Sequence, residues 1–185
     1  MNWRRVHNIL GLFIAVPFIF WTLSGFFFTL YPIETIRGAH LRADIPPMEA
    51  SVFAPSLSLS EIEAKLDTRL IGAEPMLRLG KPVWKLQTEA GWSLHAADTG
   101  LPIDALNKDE ARQIARFGLV PQMGTPIRID WLAEDPPREY RGALPAWVLT
   151  YQQDGARVYI RADTGEIVTI RTRNWRIFDI FWRFH

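Results

Sequence analysis

Val6 to Ile33 form an unbroken stretch of 28 residues without Asp, Glu, Lys or Arg, and within it Ile9 to Tyr31 is almost wholly apolar or aromatic. A bilayer core of about 30 Å is crossed by roughly 20 helical residues, so the stretch is long enough to span one with some tilt. In hydrocarbon the backbone must satisfy its own hydrogen bonds, which makes helix the expected form. Gly11, Pro17, Ser24 and Gly25 are tolerated in such a helix, Pro17 can kink it, and Pro32 marks its exit. Arg4 and Arg5 precede the span, whereas Glu34, Arg37, Arg42 and Asp44 cancel beyond it. The positive-inside rule therefore puts the N-terminus in the cytoplasm and everything after the span outside. A signal peptide has an apolar region of about 7–15 residues and a small-x-small cleavage site. This run is longer and no such site follows it, so an uncleaved anchor is expected.

Beyond the span the sequence excludes more chemistry than it offers. The 21 basic and 20 acidic residues leave a net charge of +1, which gives no electrostatic case for a nucleic-acid partner. The absence of cysteine rules out disulfides, thiolate catalysis and Cys-based metal sites. No His-Glu-x-x-His, Gly-x-Ser-x-Gly, P-loop or Gly-x-Gly-x-x-Gly motif is present, so no catalytic residue is assigned.

The rest of the chain repeats itself. Pro82-Val83-Trp84-Lys85-Leu86, Gly91 and Ala97-Asp98-Thr99-Gly100 are echoed by Pro145-Ala146-Trp147-Val148-Leu149, Gly155 and Ala162-Asp163-Thr164-Gly165. Trp84 with Leu86, and Trp147 with Leu149 and Tyr151, alternate as half-buried strands do. Glu89-Ala90-Gly91 and Gln153-Asp154-Gly155 are turn material, and each Asp-Thr-Gly supplies a further turn before strand residues such as Ile167, Val168 and Ile170. Each hairpin follows a helix signal, a capping box of Ser60 with Glu63 and another of Asn107 with Glu110. An insertion from Val120 to Leu144 separates helix from hairpin in the second copy, and Ile127 to Trp131 within it alternates like a strand. The expected fold is α+β, with helices on one face of antiparallel sheet. Its segments are a cytoplasmic N-terminus (1–8), a membrane helix (9–31), a linker (32–56), a first helix–hairpin unit (57–105), a second (106–172) and a juxtamembrane helix (173–185). In that last segment Phe178, Phe181 and Trp182 form one helical stripe, which predicts an amphipathic helix at the membrane interface with Arg171, Arg173 and Arg176 toward headgroups.

A capped helix followed by a Trp-bearing strand, a turn and a strand ending in Asp-Thr-Gly resembles the PepSY repeat. His7-Asn8-Ile9-Leu10-Gly11-Leu12, Thr22-Leu23-Ser24-Gly25, Ile36-Arg37-Gly38-Ala39-His40-Leu41 and the tail from Trp175 to His185 resemble PepSY-associated transmembrane proteins. The resemblance implies an anchored, extracytoplasmic binding or regulatory module in a bacterial inner membrane. Its implied partners are the bilayer and a membrane or periplasmic protein, with peptidase modulation the usual proposal. In that family the tail leads into a further membrane helix. Larger relatives look like haem-bearing reductases linked to iron uptake, which makes an electron-transfer component with haem b the alternative. His7, His40 and His185 are then the candidate ligands. His95 reads as a strand surface residue, and Asp98 and Asp163 as carboxylates bonded to their own turns rather than an acid–base pair.

Overall fold

A computed structural model describes residues 2–45, 55, 57–66 and 68–184, the side chain of Phe184 excepted. The protein is α+β, with an N-terminal apolar helix, two antiparallel sheets and a C-terminal helix. Helix α1 (Trp3–Leu30) runs unbroken through Pro17 and is long and apolar enough to cross a membrane. Its 28 residues extend about 42 Å at 1.5 Å per residue. Nearly all its side chains face outward; Ser24 is buried, and Gly25, Phe27 and Phe28 are half-buried. These four share the face that meets the C-terminal helix.

The predicted linker is only partly a linker. Residues 33–43 fold onto the globular part, as α2 (Ile33–Ile36), a 3-10 turn (Ala39–Leu41) and a bridge between Arg42 and Leu119. Ile36 and Leu41 are buried, and Leu41 belongs to the second half's core. Residues 46–54 and 56 of that segment lie outside the described residues.

The first half comprises α3 (Leu59–Lys65) and a sheet of β1 (Gly72–Arg78), β2 (Lys81–Thr88) and β3 (Gly91–Ala96), in that spatial order. The helix is capped by Ser58 with Glu61, not Ser60 with Glu63. The reason lies outside the helix: the Leu57 amide donates to Ala97 O at 3.2 Å, which anchors the residue just before the cap. The second half comprises α4 (Lys108–Gly118) and a sheet in the order β4 (Arg128–Leu132), β5 (Ala146–Thr150), β6 (Arg157–Arg161), β7 (Ile167–Arg171). Asn107 and Glu110 form the expected capping box on α4. Strand β4 pairs with β5, Trp131 opposite Trp147, so the alternating run within the 120–144 insertion adds a strand to the sheet, as expected.

Alternation sorts the second sheet into two faces. Ile129, Trp147, Leu149, Val158, Ile160 and Ile170 lie toward α4, which contributes Ala111, Ile114 and Ala115. The opposite face, Ala146, Val148 and Tyr159, is covered by the β4–β5 connection, whose Tyr140 ring stacks on Tyr159 at 4.9 Å. Both faces are thus covered, one by helix and one by loop.

The two Asp-Thr-Gly turns are held by matching backbone bonds. Gly100 N donates to Ala96 O as Gly165 N does to Arg161 O, and Ala97 N to Pro82 O as Ala162 N to Pro145 O. Ala96 N donates to Leu101 O as Arg161 N to Glu166 O, and Leu57 N to Ala97 O as Leu106 N to Ala162 O.

Helix α5 (Arg173–Phe184) packs on the last turns of α1. Its predicted stripe is in contact with α1: Phe178 lies 4.7 Å from Phe28 and Phe181 lies 4.9 Å from Phe27, centroid to centroid. Ile177, Ile180 and Trp182 remain exposed.

Candidate binding cleft

Between the two halves lies a cleft of about 830 Å³. Its walls are the end of the β1–β2 hairpin (Met76–Gly80), α4 from Gln113 to Gly118, the Thr164–Ile167 turn, and the strand-like segment Arg42–Ile45. The hairpin wall carries an unusual feature. Arg78 and Lys81 are register partners, so Leu79 and Gly80 form a two-residue turn, with φ of 51° and 78°. Tight hairpins require such angles and normally place Asn, Asp or Gly there. Leucine in the left-handed region costs about 1–2 kcal/mol. The position is therefore held by its surroundings, and it sets an apolar side chain into the cleft.

Neighbouring charges are fixed rather than loose. Arg78 is buried; its Nη1 donates to Asp104 O at 2.8 Å and its Nη2 lies 3.4 Å from Glu110. This bond ties the first half's hairpin to the start of α4. Arg42 Nη2 donates to Ile167 O at 2.8 Å and Val168 O at 3.3 Å. With these guanidiniums engaged, the lining comprises the apolar Met76, Leu77, Leu79, Ile114, Phe117 and Ile167, Phe117 being 69% exposed, together with the carboxylates of Asp44 and Glu166. A concave, largely apolar surface of this size with a few fixed polar groups is suited to binding a ligand.

A second constellation, absent from the sequence reading, lies beneath the second sheet. Glu139 is buried; Arg157 Nη1 and Tyr159 Oη donate to its Oε1 at 2.9 and 2.7 Å, and Arg176 Nε donates to Oε2 at 2.9 Å. Its backbone carbonyl accepts from Arg171 Nε at 2.8 Å, and Arg176 Nη1 reaches Gly155 O at 2.9 Å. Burial pushes the Glu139 carboxyl up, but the bonds from Arg176, Tyr159 and Arg157 more than reverse this and hold it below its ordinary value. The same carboxylate joins burial in raising the Tyr159 phenol. With every group paired in its working state, the cluster fastens the β4–β5 connection to β6, β7 and α5. It has the form of a structural clamp, not of an acid–base centre.

Of the predicted haem candidates, His7 and His40 are not brought together. His7 is in the second turn of α1 and His40 lies beyond that helix's other end, Nε2 3.8 Å from the Asp154 carboxylate. Leu30 alone is about 35 Å from His7 at helical rise. A bis-histidine haem site needs both nitrogens on one iron, so His7 and His40 of one chain do not form such a pair. His185 lies outside the described residues. No group of three or more His, Asp or Glu residues that could hold a metal ion occurs among the described residues. His95, read as a surface residue, is buried; its ring bonds Ser93 Oγ at 3.1 Å and Gly100 O at 3.0 Å, because the Asp-Thr-Gly turn folds back over it. Asp98 and Asp163 sit in the turns of separate sheets; Asp163 pairs with Arg161 and accepts from the Thr164 amide. Comparison with known protein families, with curated proteins and with solved structures found no match.

Proposed function

We propose that this protein is a membrane-anchored binding or regulatory module of PepSY type, facing outward from a bacterial inner membrane. Its cleft takes an apolar peptide segment of an extracytoplasmic partner, a peptidase among the candidates. One observation carries the reading: Leu79 is held in a strained backbone conformation at the rim of an apolar cleft. The matched hydrogen bonds around the two Asp-Thr-Gly turns support treating the halves as copies of one unit. A cleft between two such copies presents side chains from both to a single ligand. The outward placement rests on the Arg4–Arg5 pair before α1 and the balanced charges after it.

The test uses the full chain in detergent, titrated with capped hexapeptides that differ only in apolar content and followed by anisotropy of a fluorophore on the peptide. Leucine- and phenylalanine-rich peptides bind, and Phe117→Asp weakens them by about tenfold or more, about 1.4 kcal/mol. Leu79→Gly relieves the strained turn, so it raises the melting temperature while weakening binding. Equal affinity of wild type and both variants for every peptide refutes the cleft as the binding site. A Soret band in the purified chain favours the haem-bearing reading instead.

A further inference from the structure

We propose that the notch where α2, β7 and α5 meet binds the phosphodiester headgroup of an anionic phospholipid. The inference rests on α1 being a membrane span and is independent of the peptide cleft. The notch has a volume of about 360 Å³ and opens beside Ile33 and Ile36, directly after the end of α1. In a chain anchored by α1, that is the level of the headgroups.

Charge makes the case. Arg37 and Arg171 both line the notch. The Arg37 side chain is exposed and has no hydrogen-bond or ion-pair partner among the described residues. Arg171 spends its Nε on Glu139 O and lays its guanidinium over the Trp175 ring at 4.3 Å, leaving both Nη groups without an acceptor among the described residues. Burial lowers the Arg171 pKa against the opposing pull of Glu139, Tyr159 and Asp179, and the like charge of Arg37 acts in the same direction as burial. Asp179, the one carboxylate in the lining, is paired with Arg183 one helical turn on. The notch is therefore lined by two guanidiniums and one carboxylate that is already paired outside it, and the two like charges repel each other until an anion sits between them. A phosphate presents oxygens to both in the forked geometry that arginine favours.

The apolar surroundings select a lipid over free phosphate. Trp175, Phe178 and Trp182 wall the notch, and tryptophan rings favour the membrane interface. Ile177 and Ile180 are exposed on α5, where acyl chains beneath a bound headgroup would lie. The arginine roles differ from the sequence expectation. Arg176, expected at the headgroups, is committed to Glu139 and Gly155, while Arg37 takes its place.

The full chain, purified in a mild non-ionic detergent, is offered equal amounts of phosphatidylglycerol and phosphatidylcholine and examined by native mass spectrometry. A one-to-one phosphatidylglycerol adduct is expected, favoured over phosphatidylcholine by about tenfold or more. Arg37→Gln removes that preference without changing the melting temperature, since the side chain touches no protein acceptor. Arg173→Gln, at the exposed start of α5 and outside the notch, leaves it intact. Millimolar inorganic phosphate does not displace the lipid. Equal adducts from the two lipids, full preference in Arg37→Gln, or displacement by inorganic phosphate would each overturn the proposal. A chain that carbonate extracts from membranes overturns it too, by removing the anchor on which it depends.

Discussion

Glu139→Ala tests whether the buried carboxylate is the clamp that its contacts describe. Its side chain is 8% exposed, while those of Arg157 and Arg176 are 46% and 32% exposed. Removing one member of a fully buried pair costs about 3–5 kcal/mol, because a charge is left desolvated. Here both arginines can turn back to water, so each contact contributes nearer 1 kcal/mol. Tyr159 cannot: it is 1% exposed, and its hydroxyl loses its acceptor at about 1–3 kcal/mol. The expected total is about 3–5 kcal/mol, roughly 10 °C in melting temperature for a domain of this size. Near-ultraviolet circular dichroism of the full chain in detergent, followed through thermal melting, measures it. Adding Tyr159→Phe to Glu139→Ala should restore about 1 kcal/mol, because the orphaned hydroxyl is then absent. The pH dependence has a definite sign. A carboxyl whose pKa is depressed on folding stabilises the protein above its unfolded pKa, and that contribution is lost as pH falls through the folded value. The advantage of wild type over Glu139→Ala is therefore full at neutral pH and shrinks below the ordinary value of 4.5. A melting temperature within about two degrees of wild type at neutral pH would refute the clamp.

Three further outcomes follow from single features. Gly38 has φ of 75°, and a Cβ there would lie 3.0 Å from Ile170 Cβ; Gly38→Ala should destabilise the chain by about 2 kcal/mol, and an unchanged melt would mean that the exit segment is not seated on β7. Trp147 Nε1 donates to Leu106 O at 2.8 Å, so Trp147→Phe should lose about 1 kcal/mol, and equal stability in a denaturant titration would discount that bond. Alkaline phosphatase fused after Asp163 should be active in cells, and an inactive fusion would reverse the orientation drawn from Arg4 and Arg5.

What the sequence made legible was decided locally. Asn107 and Glu110 cap α4 as their spacing predicts, and the apolar run from Ile9 is helix as far as Leu30, one residue short of Tyr31, and extended at its start to Trp3. The first cap was ambiguous because Ser58 and Ser60 each stand three residues before a glutamate. The choice is made by the Leu57–Ala97 bond, 40 residues apart, and no local pattern contains that. Strand β1 was not foreseen: Glu74 and Pro75 break its alternation, and an edge position tolerates that proline. Glu139 stands among Glu134, Asp135 and Arg138 in what reads as a solvated turn, and only the folding of that turn under the sheet separates it from its neighbours. The cleft was equally hidden, since Leu79 becomes unusual only when its φ is known.

The packing of α5 on α1 means that the chain leaves the globular part where it came in. In a chain anchored as proposed, the seat of α5 on the end of α1 would restrict swivel and tilt and turn one side of the body to the bilayer. The residues Arg42–Ile45, which line the cleft, follow Leu30 by a short folded segment, so such anchoring would hold the cleft at a set height above the lipid. Encounters there would be confined to a thin layer along the membrane, where a tethered partner is far more concentrated than a diffusing one. Such a geometry rewards partners that share the same sheet of lipid, and a weak contact can suffice for them.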